Sequence, residues 1–144
     1  MQPARAVDLL RRARTVAVLG AHPDVVRPAG YVPDYLHSVG YRVLPVNPRF
    51  AGQTLWGERV RASLAEIGEP VDIVDVFRRS EDVPAHLDDI LAMRPLPGCV
   101  WLQLGIVQHA IAAALDRAGI AFVQDRCTLA EHRRHGLPVA ARSP

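Results

Sequence analysis

The sequence predicts an α/β fold: a three-layer, doubly wound arrangement around a mainly parallel five-stranded sheet, forming a single domain over residues 1–144. Three observations carry this expectation. Short apolar, β-branched runs alternate with longer amphipathic ones. Glycine or proline punctuates the junctions. The leading run, Thr15-Val16-Ala17-Val18-Leu19, ends abruptly in Gly20. Such alternation requires parallel strands joined by right-handed crossovers.

Met1 to Arg14 reads as a short basic amphipathic helix with Val7, Leu9 and Leu10 as its apolar residues, and Thr15 to Leu19 as the first strand. The next helix opens near Arg27-Pro28, places Val32, Tyr35, Leu36 and Val39 at three-and-four spacing, and stops at Gly40. Pro33 is expected in its first turn, where a missing N–H costs little. Tyr41 to Val46 is the second strand. The connection from Arg49 to Glu69 holds a turn at Ala51-Gly52 and a short helical stretch around Ser63 to Ile67.

Val71 to Phe77 is the third strand, with Asp72 and Asp75 as its two polar members; one of them is a candidate for a buried, hydrogen-bonded carboxyl. Ser80 reads as the N-cap of a helix that carries Glu81 and Asp82 in its first turn and buries Val83, Leu87, Ile90 and Leu91. Cys99 to Leu104 is the fourth strand, followed by a helix from Val107 to Ala118 and a stop at Gly119. Ile120 to Val123 is the fifth strand, and Thr128 to His135 a last helix.

Composition narrows the function. With 144 residues and 49% hydrophobic content the chain builds one core and not two. A formal charge of +2 implies no bulk attraction to nucleic acid or membrane. All 17 basic residues are arginine, so lysine Schiff bases, phosphate-loop lysines and lysine general bases are excluded. Cys99 and Cys127 form no Cys-x-x-Cys pair. With no signal-like start and no apolar run near the roughly 20 residues that cross a bilayer, the expected location is cytoplasmic, with both thiols reduced.

In doubly wound sheets ligands bind beyond the carboxyl ends of the strands, where the strand order reverses. The candidate residues therefore follow each strand. After Gly20 comes a proline-punctuated loop with Arg27 and Pro28 at a helix start, where free N–H groups and the helix dipole favour an anion. After the second strand, nicotinamide-dinucleotide binders place an acid on the ribose hydroxyls; here stand Asn47-Pro48-Arg49. An arginine welcomes a phosphate on the ribose, which points to NADP or coenzyme A. Phe77-Arg78-Arg79 sets an aromatic ring beside two cations after the third strand. After the fourth, Gly105 permits close backbone approach and the Gln103 amide is able to read a base or ribose, while Trp101 reads as core.

Together, Val46-Asn47-Pro48, the run Val74 to Arg79, the run Trp101 to Val107, and Asp125-Arg126-Cys127 through Glu131-His132 resemble the family of small stand-alone CoA-binding domains. These are Rossmann-like and similar to the CoA-binding domain of the succinyl-CoA synthetase α-subunit. The likeness spans roughly Val16 to Arg134. It implies Gly20, Ala21, His22, Arg27 and Pro28 along the phosphates of CoA or acyl-CoA, and Asn47, Pro48 and Arg49 near the adenosine and its 3′-phosphate. It further implies Phe77, Arg78 and Val83 around the adenine, with Gln103, Leu104, Gly105 and Ile106 closing the site. In many relatives serines stand where this chain has Ala21-His22 and Ala29, so fewer hydroxyls are offered to phosphate.

Cys127, His132 and His135 resemble metal ligands in spacing, but the favoured reading is a packed C-terminal segment with Glu131 paired to arginines. No nucleophile elbow is present. The expected protein is a CoA-binding module without its own catalytic machinery, a carrier, sensor or subunit able to pair with itself or a partner chain. The alternatives are an NADP-dependent oxidoreductase and an interaction domain that has lost its ligand.

Overall fold

The computed structural model describes residues 3–140. The chain order is α1 (Pro3–Arg12), β1 (Thr15–Leu19), α2 (Pro28–Ser38), β2 (Arg42–Val46), β3 (Thr54–Leu55), β4 (Glu58–Arg59), β5 (Ile73–Val76), α3 (Leu87–Ala92), β6 (Cys99–Leu102), α4 (Ala112–Arg117), β7 (Ala121–Val123) and α5 (Thr128–Arg134). Met1 and Gln2 of the expected leading helix lie outside the described residues.

Five strands form one parallel sheet in the order β2-β1-β5-β6-β7. Side chains alternate across it. Val74, Val100 and Leu102 face a core shared with Ile90 of α3 and Leu115 of α4. Ile73, Cys99 and Trp101 face the opposite core, closed by Leu10 of α1 and by Val32 and Leu36 of α2. α5 packs against both α1 and α2. This is the three-layer α/β architecture expected, and its winding direction reverses between β1 and β5.

Several local readings are corrected. The segment after β2 contains a small antiparallel hairpin, β3–β4, where only a turn and a helical stretch were expected. Pro33 lies in the second turn of α2, and cannot donate to the Ala29 carbonyl one turn back. That carbonyl instead accepts the N–H of His22 at 3.1 Å, which ties the first loop to the helix. The segment after β5 begins as a 3-10 helix, Ser80–His86, which contains Pro84. Ser80 does not cap it; its hydroxyl accepts the N–H of Val107 at 3.0 Å. Asp72 falls just outside β5 and accepts the N–H groups of both Arg14 and Thr15 at 2.9 Å, securing the α1–β1 junction.

Gly20 has φ +94°, and a Cβ there would stand 2.6 Å from the Phe77 carbonyl oxygen. Gly52 has a similar φ of +90° with nothing within 4 Å. Backbone strain of roughly 1–2 kcal/mol is common to both sites, and overpacking adds roughly 1–3 at Gly20 alone. Gly20→Ala is therefore expected to lose about 3 kcal/mol in urea unfolding, and Gly52→Ala about 1 kcal/mol.

Candidate functional site

The carboxyl ends of β2, β1, β5 and β6 open onto one cleft of about 1010 Å³. That is at the upper end of the range for small-molecule sites, large enough for a nucleotide cofactor. It lies where the strand order reverses, the place the topology favours for a ligand.

The β1 wall is a loop braced by its own side chains. His22 Nδ1 accepts the N–H of Asp24 at 3.0 Å, and Asp24 Oδ1 accepts the N–H of Val26 at 3.0 Å. A neutral His22 ring therefore carries its proton on Nε2. Its ring meets the edge of Phe50, with centroids 4.8 Å apart. Arg27 precedes α2 without giving it a side-chain cap; Pro28 has no N–H and those of Gly30 and Tyr31 go to the Arg27 carbonyl, so the first turn brings to the cleft the Ala29 N–H and the positive end of the helix dipole.

The β2 wall is fixed by Asn47. Its Oδ1 accepts the N–H of Arg49 at 3.0 Å and its Nδ2 donates to the Ala21 carbonyl at 3.0 Å. The amide is thus engaged with backbone on both sides, and its role is to join two walls. Arg49 extends over the Phe50 ring, 5.0 Å from its centroid, a cation–π contact.

The β5 wall carries Phe77, Arg78 and Arg79. The two cations differ. Arg79 is exposed and bound to Asp82 at 3.0 Å with Glu81 at 3.7 Å, so its charge is answered locally. Arg78 has no carboxylate partner among the described residues, and its buried Nε has no hydrogen-bond acceptor. The half-buried His86 is held below its ordinary pKa, first by burial and then by the Arg78 charge. Arg49 and Arg78 are the two cleft cations without an acid beside them among the described residues.

The β6 wall is the turn Gln103 to Ile106. Gln103 Nε2 donates to Asp75 Oδ1 at 2.6 Å and to Thr128 Oγ1 at 2.9 Å, so this amide faces inward to a buried acid and does not hold out its donor to a ligand. The Gly105 N–H is taken by Asp125 Oδ1 at 2.7 Å. Leu104 is 71% exposed, an apolar side chain standing at the rim.

All the sequence-predicted site residues line the cleft except Ala21 and Val83. Both are buried in the cores instead: Ala21 offers only its carbonyl, to Asn47, and Val83 packs with the α3 layer. The lining also includes Tyr31, Val32, Phe50, Ser80, Glu81 and Cys127. Phe50, Ser80 and Cys127 each lie in the loop that follows a strand and were legible as rim positions; Tyr31 reaches the cleft from within α2, where no local signal marks it.

The C-terminal segment is packed as read. Glu131 lies between Arg126 and Arg134, each at 3.5 Å. His132 meets the Tyr35 hydroxyl at 2.8 Å through Nδ1 and the Pro138 carbonyl at 3.3 Å through Nε2. Among the described residues no cluster of His, Cys, Asp and Glu is arranged to hold a metal ion. Nor, among them, is any helix long and apolar enough to cross a membrane.

A doubly wound α/β domain with an arginine-lined cleft at the reversal of its strand order is of the Rossmann-like class. More narrowly, this chain belongs to the CoA binding domain family, whose model matches residues 14–133. The uncharacterized protein YneT of Bacillus subtilis (strain 168) is 32% identical over 130 residues, covering 90% of this chain and 93% of YneT. Among solved structures, cell-free ID.343 from Thermus thermophilus shares 53% identity with a TM-score of 0.86, over 93% of this chain and 98% of that one. A hypothetical protein from Pyrococcus horikoshii OT3 shares 28% identity with a TM-score of 0.83, over 93% and 92% of the two chains.

The Asn47 clamp has a measurable weight. Asn47→Ala removes two hydrogen bonds from a buried site and is expected to cost about 2 kcal/mol in urea unfolding. Asn47→Asp keeps the acceptor for Arg49 but sets an oxygen against the Ala21 carbonyl; at neutral pH it is expected to cost at least as much.

Proposed function

We propose that the cleft binds coenzyme A or an acyl-CoA, and that the chain serves as a carrier, sensor or subunit in thioester metabolism. The observation that carries this reading is Arg49. It stands after β2, where a dinucleotide enzyme would place an acid against the ribose hydroxyls, and it has no acid beside it among the described residues. A guanidinium there suits a ribose that bears a phosphate. The Ala29 N–H and dipole at the start of α2, and the Arg78 charge with no acid beside it among the described residues, suit a pyrophosphate. Family membership favours CoA over NADP as the ribose-phosphorylated ligand.

Titration calorimetry with CoA, dephospho-CoA and NADP tests this. A charge-assisted contact to the 3′-phosphate is worth about 1.5–3 kcal/mol, so CoA is expected to bind more than ten-fold tighter than dephospho-CoA. Arg49→Ala is expected to bring the two to equal affinity, while Arg78→Ala weakens both. Equal affinity in the unaltered protein would remove Arg49 from this role. Binding of neither CoA compound would end the reading, and tighter binding of NADP would transfer it to that cofactor.

A further inference from the structure

The cleft is polarised along the sheet edge. Its charged lining residues, Arg27, Arg49, Arg78, Arg79 and Glu81, all follow β1, β2 or β5. The β6 wall contributes Gln103, Leu104, Gly105 and Ile106, none of them charged, and the Gln103 amide is turned inward to Asp75 and Thr128. The surroundings of this end are apolar as well. Thr128 bonds Gln103 at 2.9 Å, which sets the preceding Cys127 beside the β6 wall. Cys127 packs on the core to which Val32 of α2 belongs, and Tyr31, next to Val32, also lines the cleft.

Apolar side chains left in water gather at this mouth. Leu104 and Tyr31 are exposed members of the lining. Val25, Val26 and Val107 stand exposed on the loops that follow β1 and β6. Among the described residues, only Leu96 and Val139 of the large exposed apolar side chains lie elsewhere. The turn that presents Leu104 is fixed: Gly105 has φ +84°, and its N–H is held by Asp125 Oδ1 at 2.7 Å. A leucine held in solvent beside a cleft offers apolar surface for a ligand to cover.

We infer that this uncharged end receives the acyl group of an acyl thioester, that the group is aliphatic and lacks a terminal carboxylate, and that Leu104 is the specificity-determining residue. The inference rests on the CoA reading for the nucleotide part of the ligand and narrows its acyl part. Strand order sets the direction. A ribose phosphate at Arg49 lies over the β2 end, and a pyrophosphate at the start of α2 and Arg78 lies over β1 and β5. The arm that follows leaves toward β6, the next strand, about 5 Å beyond β5.

An aliphatic chain over Leu104, Ile106 and Tyr31 removes apolar surface from water on both partners. A terminal carboxylate there loses hydration against a wall with no cation to answer it. Arg126, the cation nearest in the chain, is turned to Glu131 at 3.5 Å. Asp125, bound to the Gly105 N–H, adds a like charge beside the turn.

Butanoyl-CoA and succinyl-CoA carry the same chain length without and with a terminal carboxylate, and titration calorimetry compares them with CoA. In the unaltered protein butanoyl-CoA is expected to bind about ten-fold tighter than CoA, the effect of roughly half-covering its apolar carbons. Succinyl-CoA is expected to bind no tighter than CoA. Leu104→Ser is expected to reduce the butanoyl advantage to about three-fold. Leu104→Arg sets a cation at the same position and is expected to reverse the order of the two thioesters. Both substitutions fall on a side chain that stands in solvent, so the fold is expected to be kept. Amide NMR of the unaltered protein locates the acyl group separately. Shift differences between its CoA and butanoyl-CoA complexes are expected at Leu104, Ile106 and Cys127, and not at Arg49 or Phe50.

Equal affinity for butanoyl-CoA and succinyl-CoA, or no gain of butanoyl-CoA over CoA, overturns the inference; CoA binding in the same titrations leaves the CoA reading standing. A butanoyl advantage unchanged in Leu104→Ser, or shift differences confined to the β2 wall, overturns it too. If none of the CoA compounds binds, the CoA reading falls and the inference falls with it.

Discussion

The near-contact between Gly20 and the Phe77 carbonyl is the constraint on which the cleft depends. β1 and β5 are adjacent, and the chain leaves their carboxyl ends in opposite directions, toward α2 on one face and α3 on the other. A crevice forms only if the two departing loops pass closely at their base and then diverge. Gly20, lacking a Cβ and holding a positive φ, allows that passage. Everything above it is a matter of which groups the diverging loops hold toward each other.

Those groups are held by backbone-directed polar side chains. Asn47 ties β2 to the β1 loop, the Ala29 carbonyl left free by Pro33 ties that loop to α2, and Asp125 ties the β6 turn to the β7 turn. Beside the first of these anchors Arg49 is left at the cleft with no acid beside it among the described residues. The contrast between Arg78 and Arg79 shows how local acids set the field: adjacent residues of the same type, one neutralised by the turn that follows it and one not. A cleft with unanswered guanidinium groups attracts polyanions, whatever the identity of their organic portion.

Much of the sheet and the rim was legible in the sequence because both depend on short-range signals. β-branched runs mark strands, glycine and proline mark their ends, and the topology of a parallel sheet places those ends together. The β3–β4 hairpin was hidden because two residues per strand establish no periodicity. The helix start after β5 was misread because Ser80 has the composition of a cap but bonds to Val107, far along the chain. For the same reason Asn47 and Gln103 were legible as site residues but not as clamps: an amide's partner is decided by what the fold brings beside it. Val83 and Ala21 carried no polar signal either way, and the sheet layers drew them inward.

The edge at β2 has a consequence for how copies of the chain meet. Pro45 has no N–H to offer, its carbonyl accepts the N–H of Arg61, and the Arg61 carbonyl takes the N–H of Asn47. The outermost strand is thereby sealed by a crossing segment of its own chain, so a foreign strand finds no free ladder there. Runaway fibrillar stacking through that border is blocked by the chain's own backbone, and Asn47, whose N–H the crossing segment takes, also anchors the pocket's wall.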